Sequence, residues 1–287
     1  MNVVESLNEK RAAVEDFLSS ILSQENTVLF QAMRYTVFSG GKRFRPLLAL
    51  CSAEYFRVDQ EEVLPFASAL ELIHNYSLIH DDLPLMDDDD FRRGKPSSHR
   101  VFGEAVALLA GDSLLTLAFE VMVGALAGKG SMSRKARVIK EISECAGAKG
   151  MIGGQVIDIT FEKNKVTKDR MHELIQKKTG ALITASVKTG AILGDASPRQ
   201  LEALTHYGRN VGFAFQVRDD ILDRTAEGSD ASDDEPNYAL FVGLEESKRR
   251  LKEFVNDALH SLENASLDSE ELRYLARMLL DVEGKKE

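Results

Sequence analysis

The stretch LEESKRRLKEFVNDALHSL, residues 244–262, decides the fold class. Its apolar residues return at spacings of three and four, as in Leu251, Val255 and Ala258. Residues at those spacings share one face of an α-helix, which can pack against a core while the charged residues between them face water. VESLNEKRAAVEDFLSSIL (4–22) and EELRYLARMLLDV (270–282) repeat the pattern, and alternating strand patterns are rare. The sequence therefore predicts an all-α fold.

Composition narrows the class of protein. The 287 residues are 44% hydrophobic and 29% charged, which is ordinary for a globular protein. The net charge of −10 argues against general nucleic-acid binding. Cys51 and Cys145 lie far apart without metal-ligand spacing, so we expect no disulfide framework or zinc site. This use of cysteine fits a protein of the reducing cytoplasm. The N-terminus has no apolar run after a basic start, so a signal peptide is not expected.

Two stretches bear on the organisation of the chain. AVALLAGDSLLTLAFEVMVGALAG (105–128) is strongly apolar, but Asp112 and Glu120 interrupt it, which favours a buried core helix over a membrane span. RTAEGSDASDDEPN (224–237) has the composition of a mobile surface loop. No Gly/Ser-rich linker divides the chain, so we predict ten or more helices in one domain over residues 1–287.

The acidic motif FQVRDDILD, residues 215–223, lies in a helical pattern. Asp219 and Asp223 are four residues apart, so their carboxylates share a helix face one turn apart. Like charges there destabilise each other unless a cation binds between them. The pattern favours a cation site, and the alternative is a solvated helix face.

A second acidic motif, HDDLPLMDDDDFRRGKP, spans residues 80–96. Asp81 and Asp87 are six residues apart, which is about 240° of rotation on an ideal helix, so a regular helix would separate them. Pro84 lies between them and cannot donate its backbone hydrogen bond, so the helix must end or distort there. We expect this distortion to return Asp87 to the side of Asp81, the alternative being a solvated acidic turn.

Both motifs offer carboxylate oxygens as candidate ligands, and no histidine or cysteine is among those candidates. Such sites suit hard cations such as Mg²⁺, which takes one or two carboxylates together with waters and substrate phosphates. Two carboxylate groups on separate helices are therefore predicted to clamp a diphosphate through bridging ions. The metal would stabilise negative charge on a leaving diphosphate.

Basic runs supply candidate diphosphate contacts. SGGKRFRP (39–46) combines a glycine hinge with Lys42, Arg43 and Arg45, but lacks the spacing of a Walker-type loop. Two further runs add candidates: FRRGKP gives Arg92 and Arg93, and IQKKTGALI gives Lys177, Lys178 and Thr179. Taken singly, each run is more often a solvated surface.

In combination, these motifs resemble the trans-isoprenyl diphosphate synthases, in particular the short-chain bacterial farnesyl diphosphate synthases. The resemblance covers roughly residues 38–251 and rests on GGKRFRP, HNYSLIHDDLPLMDDDDFRRGKPSSH, LAGDSLL, GMIGGQVIDI, KTGALI and FQVRDDILD, in the family's order. It implies a single polyprenyl synthetase domain, an isoprenoid-synthase-type helical bundle around a central active-site cavity, usually a homodimer. It also implies head-to-tail condensation of isopentenyl diphosphate with an allylic diphosphate.

The resemblance assigns roles to individual residues. The metal ligands map to Asp81, Asp87 and Asp219, with Asp82, Asp220 and Asp223 as direct ligands or supporters, for three Mg²⁺ per active site. The isopentenyl diphosphate contacts map to Lys42, Arg45, His74 and Arg93, and the allylic diphosphate contacts to Arg92, Lys178, Thr179 and Gln216. The catalytic set is Asp81, Asp82, Asp87, Lys178 and Asp219. The alternative for His74 is a core histidine, and Gln155 carries only a weak signal for facing the cavity.

Product length and one departure complete the expectations. In the family, the residues one turn before the first acidic motif form a floor for the growing chain; here they are Tyr76 and Ser77. This pair resembles the C15 pattern, the alternative being a geranyl or geranylgeranyl product. The segment after Asp223 is shorter than usual and lacks two allylic-site lysines, with Glu235 in place of one. A terpene cyclase and a catalytically impaired regulatory homologue remain as rival interpretations.

Overall fold

The computed structural model describes residues 2–161, 167–225 and 236–282. Helices dominate these residues, as predicted, and the only strands among them form one short hairpin. The α-helices of the described chain are α1 Val3–Leu22, α2 Val28–Val37, α3 Phe44–Tyr55, α4 Gln60–Asp81, α5 Ser98–Phe102, α6 Glu104–Gly124, α7 Met132–Ala146, α8 Met151–Ile159, α9 Lys168–Ile175, α10 Ala181–Leu193, α11 Pro198–Thr225, α12 Tyr238–Val242, α13 Leu244–Asn264 and α14 Glu270–Arg277.

Local sequence signals explain where several helices begin. Asn2 caps α1 in a capping box with Glu5, because each side chain accepts a hydrogen bond from the backbone N–H of the other. Thr27 and Ser269 cap α2 and α14 by accepting from the backbone N–H three residues on. Pro198 opens α11, where its missing N–H would have no helical partner in any case.

Two apolar clusters form the core of the described residues. The first surrounds α4, which packs against α6 and α3, and the second surrounds α11, which packs against α13 and α10. Helix α10 also packs against α3, α4 and α7, so it contacts both halves of the bundle. In the second cluster, the fully buried Tyr207 donates its hydroxyl to the carbonyl oxygen of Leu272 at 2.7 Å.

Helix α6 differs from the buried core helix predicted from its composition. Only one face, including Ala110, Leu114 and Ala118, is buried against its neighbours. Leu109 and Val123 are each 55% exposed, because no other element of the described chain covers that face. The segment Glu104–Ala127 is long and apolar enough to cross a membrane, but a single helix of this kind is weak evidence for a span.

The hairpin joins the first acidic motif to α5. Strand β1 (Phe91–Arg92) pairs antiparallel with β2 (Lys95–Pro96), so that Arg92 lies opposite Lys95. Arg93 and Gly94 form the two-residue turn, both with positive φ, which suits the twist of paired strands. The hairpin thereby turns the chain directly after the aspartates, with Arg92 in its first strand and Arg93 in its turn.

Candidate active site

The first acidic motif folds as Pro84 predicted. Helix α4 ends at Asp81, and the chain turns so that the backbone N–H of Asp87 donates to the carbonyl oxygen of Asp81 at 2.9 Å. The Met86 N–H donates to Leu83 O at 2.8 Å within the same turn. Asp81 and Asp87 therefore lie side by side and line one cavity.

Burial and neighbouring charges shift the pKa values of the carboxyl groups in this motif. Burial raises the pKa of Asp81 to about 7; Lys178 partly opposes the shift, and Asp87 adds to it. Burial also raises the pKa of Asp87. Both carboxylates are thus less stable as anions than they would be in water, and a bound cation would relieve that cost.

Asp82 is buried and accepts hydrogen bonds from Arg92. It is 3% exposed, and its Oδ1 accepts from Nε of Arg92 at 2.8 Å and from Nη2 of the same side chain. Asp89 also accepts from Nη2 of Arg92, at 2.7 Å. Arg92 lines the cavity whereas Asp82 does not. Of the two roles expected for Asp82, direct ligand or supporter, this position fits the supporter.

The remaining aspartates of the run, left unexplained by the sequence, have structural partners. Asp89 contacts Arg92, and Asp90 pairs with Nε of Arg100 at 2.5 Å on the surface. Asp88 adopts a left-handed backbone conformation with φ 54°, which aspartate tolerates better than most residues. These residues shape the turn and the hairpin that follows it.

The second acidic motif lies in the last two turns of α11. Asp219 and Asp223 line the same cavity as Asp81 and Asp87. Asp220 is 5% exposed and accepts from the backbone N–H of Tyr238 at 2.7 Å and from Nε2 of Gln216 at 2.9 Å. All three aspartates of the motif therefore line the cavity, and Asp220 also fixes the start of α12 to α11.

A π-helical turn, Gln176–Gly180, lies between α9 and α10 and was not predicted. Such turns are rare and often occur at functional sites. The turn carries Lys178 and Thr179 into the cavity lining. Thr179 donates its hydroxyl to Oε1 of Gln216 at 2.7 Å, which extends the hydrogen-bonded chain to Asp220 and Tyr238.

Two glycines allow other helices to approach this π-turn. A Cβ on Gly154 would lie 2.2 Å from the backbone nitrogen of Lys178, and one on Gly212 would lie 2.5 Å from Cα of Gly180. Both distances are far inside van der Waals contact. Helices α8 and α11 can therefore hold the π-turn closely only because these positions carry no side chain.

Asp158 is a site residue that sequence reasoning missed. It lines the cavity, and its carboxylate contacts the ammonium of Lys178 directly. Burial lowers the pKa of Lys178, but Asp158 and Asp81 outweigh it, so the pKa lies above its ordinary value and the lysine stays charged. The available signal was the spacing of Gln155 and Asp158 in GGQVID, the two polar positions of an otherwise apolar helix.

The cavity has a volume of about 600 Å³ and combines charged and apolar walls. It gathers nine of the predicted site residues: Asp81, Asp87, Arg92, Lys178, Thr179, Gln216, Asp219, Asp220 and Asp223. Leu78, Met171 and Leu174 contribute apolar surface. In the described part of the chain, no group of three or more His, Cys, Asp or Glu side chains is arranged to hold a metal ion alone.

The residues predicted for the second diphosphate lie outside this cavity. His74 lies among arginines: burial, then Arg45 and Arg93, lower its pKa well below the ordinary value, so its ring is neutral. Arg93 donates from Nη1 to Gly40 O at 2.6 Å, and the guanidinium of Arg45 lies 5.9 Å from the ring centre of Phe215. Lys42 lines a small cavity of about 80 Å³ beside α1 and α14.

Arg43 corrects one expectation from the sequence. It is 3% exposed, and it donates from Nε to Glu15 at 2.7 Å and from Nη1 to Glu71 at 2.9 Å. Its Nη2 also donates to Val37 O at 2.7 Å. Since these partners occupy the guanidinium, Arg43 ties α1, α2 and α4 together and does not face a diphosphate.

The predicted chain-length residues lie on α4 just before the acidic turn. Tyr76 is 5% exposed, and its ring meets His80 edge-to-face with centroids 5.6 Å apart. Its buried hydroxyl has no hydrogen-bond partner among the described residues. Ser77 donates its hydroxyl to His74 O at 2.9 Å. The predicted loop 224–237 and Glu235 lie outside the described residues, except for Arg224, Thr225, Pro236 and Asn237 at its ends.

Comparison with known proteins adds independent findings. Residues 26–274 match the polyprenyl synthetase family. The chain is 40% identical over 289 residues to the farnesyl diphosphate synthase of Geobacillus stearothermophilus, covering 97% of each chain. It is 41% identical over 267 residues to a chloroplastic geranylgeranyl pyrophosphate synthase of Capsicum annuum, covering 90% of this chain and 72% of that protein. The crystal structure of an FPP/GFPP synthase from Zymomonas mobilis superposes with a TM-score of 0.87 at 33% identity, covering 97% of this chain and 99% of that one.

The helical fold and the similar proteins together define a prenyltransferase with the all-helical isoprenoid synthase fold. The chain belongs to the polyprenyl synthetase family. The resemblance read from the six sequence motifs is thereby confirmed. Because similar relatives bear both farnesyl and geranylgeranyl names, family membership does not fix the length of the product.

Proposed function

We propose that this prenyltransferase condenses isopentenyl diphosphate head-to-tail with dimethylallyl or geranyl diphosphate, giving farnesyl diphosphate and inorganic diphosphate. The observation that carries the proposal is one cavity onto which both acidic motifs converge. Asp81 and Asp87 reach it from the end of α4, and Asp219 and Asp223 reach it from α11. Lys178 adds a positive charge to the same lining.

The donor set of this cavity fits Mg²⁺. The acidic ligands are carboxylates from two separate helices, and the raised pKa of Asp81 reflects a carboxyl that a cation would stabilise as an anion. Since no three of the described side chains hold a metal alone, diphosphate oxygens and water would complete the coordination. Bound there, three Mg²⁺ would neutralise charge on the departing diphosphate.

The chain's own cations have fixed positions at the cavity. Lys178 is held by Asp158, and Arg92 is held by Asp82 and Asp89. Side chains anchored this way lose little freedom when they meet an anion, so we assign both to the allylic diphosphate. The hydroxyl of Thr179 and the amide of Gln216 already hydrogen-bond each other and complete this group.

Apolar walls serve the hydrocarbon part of the substrate. Leu78, Met171 and Leu174 line the cavity beside the charged residues, and water excluded by such walls could not quench an allylic cation. Tyr76 lies about one turn before Asp81 and is almost fully buried. At this position a bulky ring would stop the growing chain. This position, together with the small Ser77, is our reason for proposing a C15 product.

The second diphosphate requires a separate group of cations. Arg45 and Arg93 surround His74, whose neutral ring could donate one hydrogen bond without adding a further charge. We assign these three residues and Lys42 to isopentenyl diphosphate. A terpene cyclase would need no such second group, so its presence favours condensation.

We also propose a single-domain chain that forms a homodimer in the cytoplasm. Helix α10 contacts both halves of the bundle, which supports one domain. The exposed apolar face of α6, with Leu109 and Val123, is the kind of surface that a second copy would cover. Both cysteines are free, as in reducing compartments.

The test is turnover of radiolabelled isopentenyl diphosphate with dimethylallyl, geranyl or farnesyl diphosphate, with and without Mg²⁺, followed by product-length analysis. We expect Mg²⁺-dependent formation of C15 product from the first two substrates. Consumption of geranyl diphosphate without isopentenyl diphosphate would instead indicate a cyclase. Absence of turnover with every allylic substrate would favour the regulatory homologue.

A further inference from the structure

The π-turn borders two cavities. Lys178 and Thr179 line the active-site cavity, whereas Lys177 and Gly180 line a second cavity of about 330 Å³. The second cavity is formed by α7, α9, α10 and α11 with the π-turn, and it shares no lining residue with the first. It is therefore a separate site, and the π-turn, α9 and α11 each contribute residues to both cavities.

The charges around the second cavity favour an anion. Among the described residues, four cationic side chains and two carboxylates line it: the cations are Lys149, Lys177, Lys188 and Arg209, and the carboxylates are Glu141 and Glu173. Glu173 pairs with Lys177 at 2.7 Å, and Glu141 contacts Lys188. Within the described residues, Lys149 and Arg209 form no ion pair. The lining thus has two positive charges in excess.

A buried hydroxyl adds a polar group without a partner. Thr184 lines the cavity and is 8% exposed, yet its hydroxyl makes no hydrogen bond to any described residue. The other hydroxyls of α10 behave differently: Ser186 and Thr189 each donate to the carbonyl four residues earlier at 2.8 Å. A buried polar group without a partner is destabilising, and a hydrogen-bonding ligand would remove that cost.

We propose that this second cavity binds a phosphate-type oxyanion, with Lys149 and Arg209 at its rim and Thr184 in its wall. Arginine and lysine suit phosphate oxygens, and a threonine hydroxyl donates to them. Inorganic diphosphate and inorganic phosphate share this chemistry, and the difference between them is one outcome of the experiment.

Occupancy of the second cavity would reach the active site over a short path. An anion in the second cavity would attract the ammonium group of Lys177. The next residue, Lys178, contacts Asp158 in the active-site cavity. Binding would therefore shift the π-turn and slow turnover. This regulatory consequence rests on the proposed function, whereas binding itself does not.

Calorimetric titration tests the binding. Diphosphate and, in separate runs, phosphate are titrated in the presence of EDTA into the wild type and into the double variant Lys149→Gln/Arg209→Gln. The control is the double variant Arg137→Gln/Lys140→Gln, which removes the same charge from exposed positions of α7. We expect the first double variant to lose at least tenfold in affinity for one class of sites and the control to change less than twofold. The active site is the same in all three proteins, so its contribution cancels.

Three further results discriminate. Thr184→Val should weaken the same class of sites several-fold, and crystals soaked in diphosphate should show density beside Thr184. Equal binding by the two double variants, or density in the active-site cavity alone, would overturn the site. In the turnover assay, inhibition by diphosphate that is not competitive with the allylic substrate should disappear in Lys149→Gln/Arg209→Gln and persist in the control. Loss of binding without this kinetic change would overturn the coupling alone, and a wild type without turnover would count against the proposed function alone.

Discussion

Replacing Gly154 with alanine should damage activity by moving Lys178. The added Cβ would lie 2.2 Å from the Lys178 backbone nitrogen and 2.6 Å from its Cα. Restoring an ordinary contact of 3.4 Å requires a displacement of about 1 Å, and the obstacle is backbone that cannot rotate away. A misplacement of this size in an active site can cost about 100-fold in rate. We therefore expect kcat/KM to fall by roughly that factor.

A neighbouring glycine supplies the control. A Cβ on Gly153 would lie 2.1 Å from the carbonyl oxygen of Ala148, so Gly153→Ala crowds α8 equally but does not touch the π-turn. Overpacking of this kind costs about 1–3 kcal/mol. Both variants should thus lose similar stability, measured by chemical denaturation, while only Gly154→Ala should lose activity and raise KM for the allylic diphosphate.

A normally folded Gly154→Ala variant with wild-type kcat and KM would show that the added Cβ does not displace Lys178. An equal loss of activity in Gly153→Ala would show that the effect comes from general crowding of α8. A third variant, Gly124→Ala, monitors the helix background, since its Cβ would meet nothing within 4 Å. That change should stabilise the protein by up to about 1 kcal/mol.

Four further outcomes are expected. Tyr76→Ala should lengthen the prenyl product seen on product-length analysis; an unchanged product spectrum would place the floor elsewhere. Tyr76→Phe should keep or raise the free energy of unfolding, because the lost hydroxyl has no hydrogen-bond partner in the described chain. Tyr207→Phe should lower the free energy of unfolding by about 1 kcal/mol, because it removes the hydrogen bond to Leu272. Equal changes in the two variants would contradict this. Arg43→Met should destabilise by about 3–5 kcal/mol by leaving Glu71 buried and unpaired, and a loss below 1 kcal/mol in denaturation would count against that pairing. Since the pKa of Asp81 is raised to about 7, Mg²⁺ binding below pH 7 should release protons and strengthen as pH rises; calorimetry in buffers of different ionisation enthalpy that shows no release would refute this.

The sequence predicted those parts of the site that depend on local rules. Pro84 has no N–H to donate, so the helix had to end near Asp81, and the return of Asp87 followed. The spacing of Asp219 and Asp223 likewise placed both on one helix face, and both line the cavity. These features required only helix geometry and the chemistry of proline.

Other parts depend on contacts between distant segments and could not be predicted. In KRFR, nothing local shows that Arg43 pairs with Glu15 and Glu71, because these partners come from α1 and α4. The π-turn has no propensity signal of its own and exists where α8 and α11 approach it closely. Asp158 became a site residue only when that π-turn brought Lys178 to it.

The hydrogen bonds of Asp220 have a consequence for engineering the chain that follows α11. Its carboxylate holds the Tyr238 N–H, and Asn237 caps the same short helix through Leu240. The far end of any redesigned loop is thus anchored at a fixed point beside Asp219 and Asp223. Segments of different length or charge could be placed between Thr225 and Pro236 while this anchor is kept. The two lysines that the family resemblance leads us to expect could then be introduced without rebuilding α11.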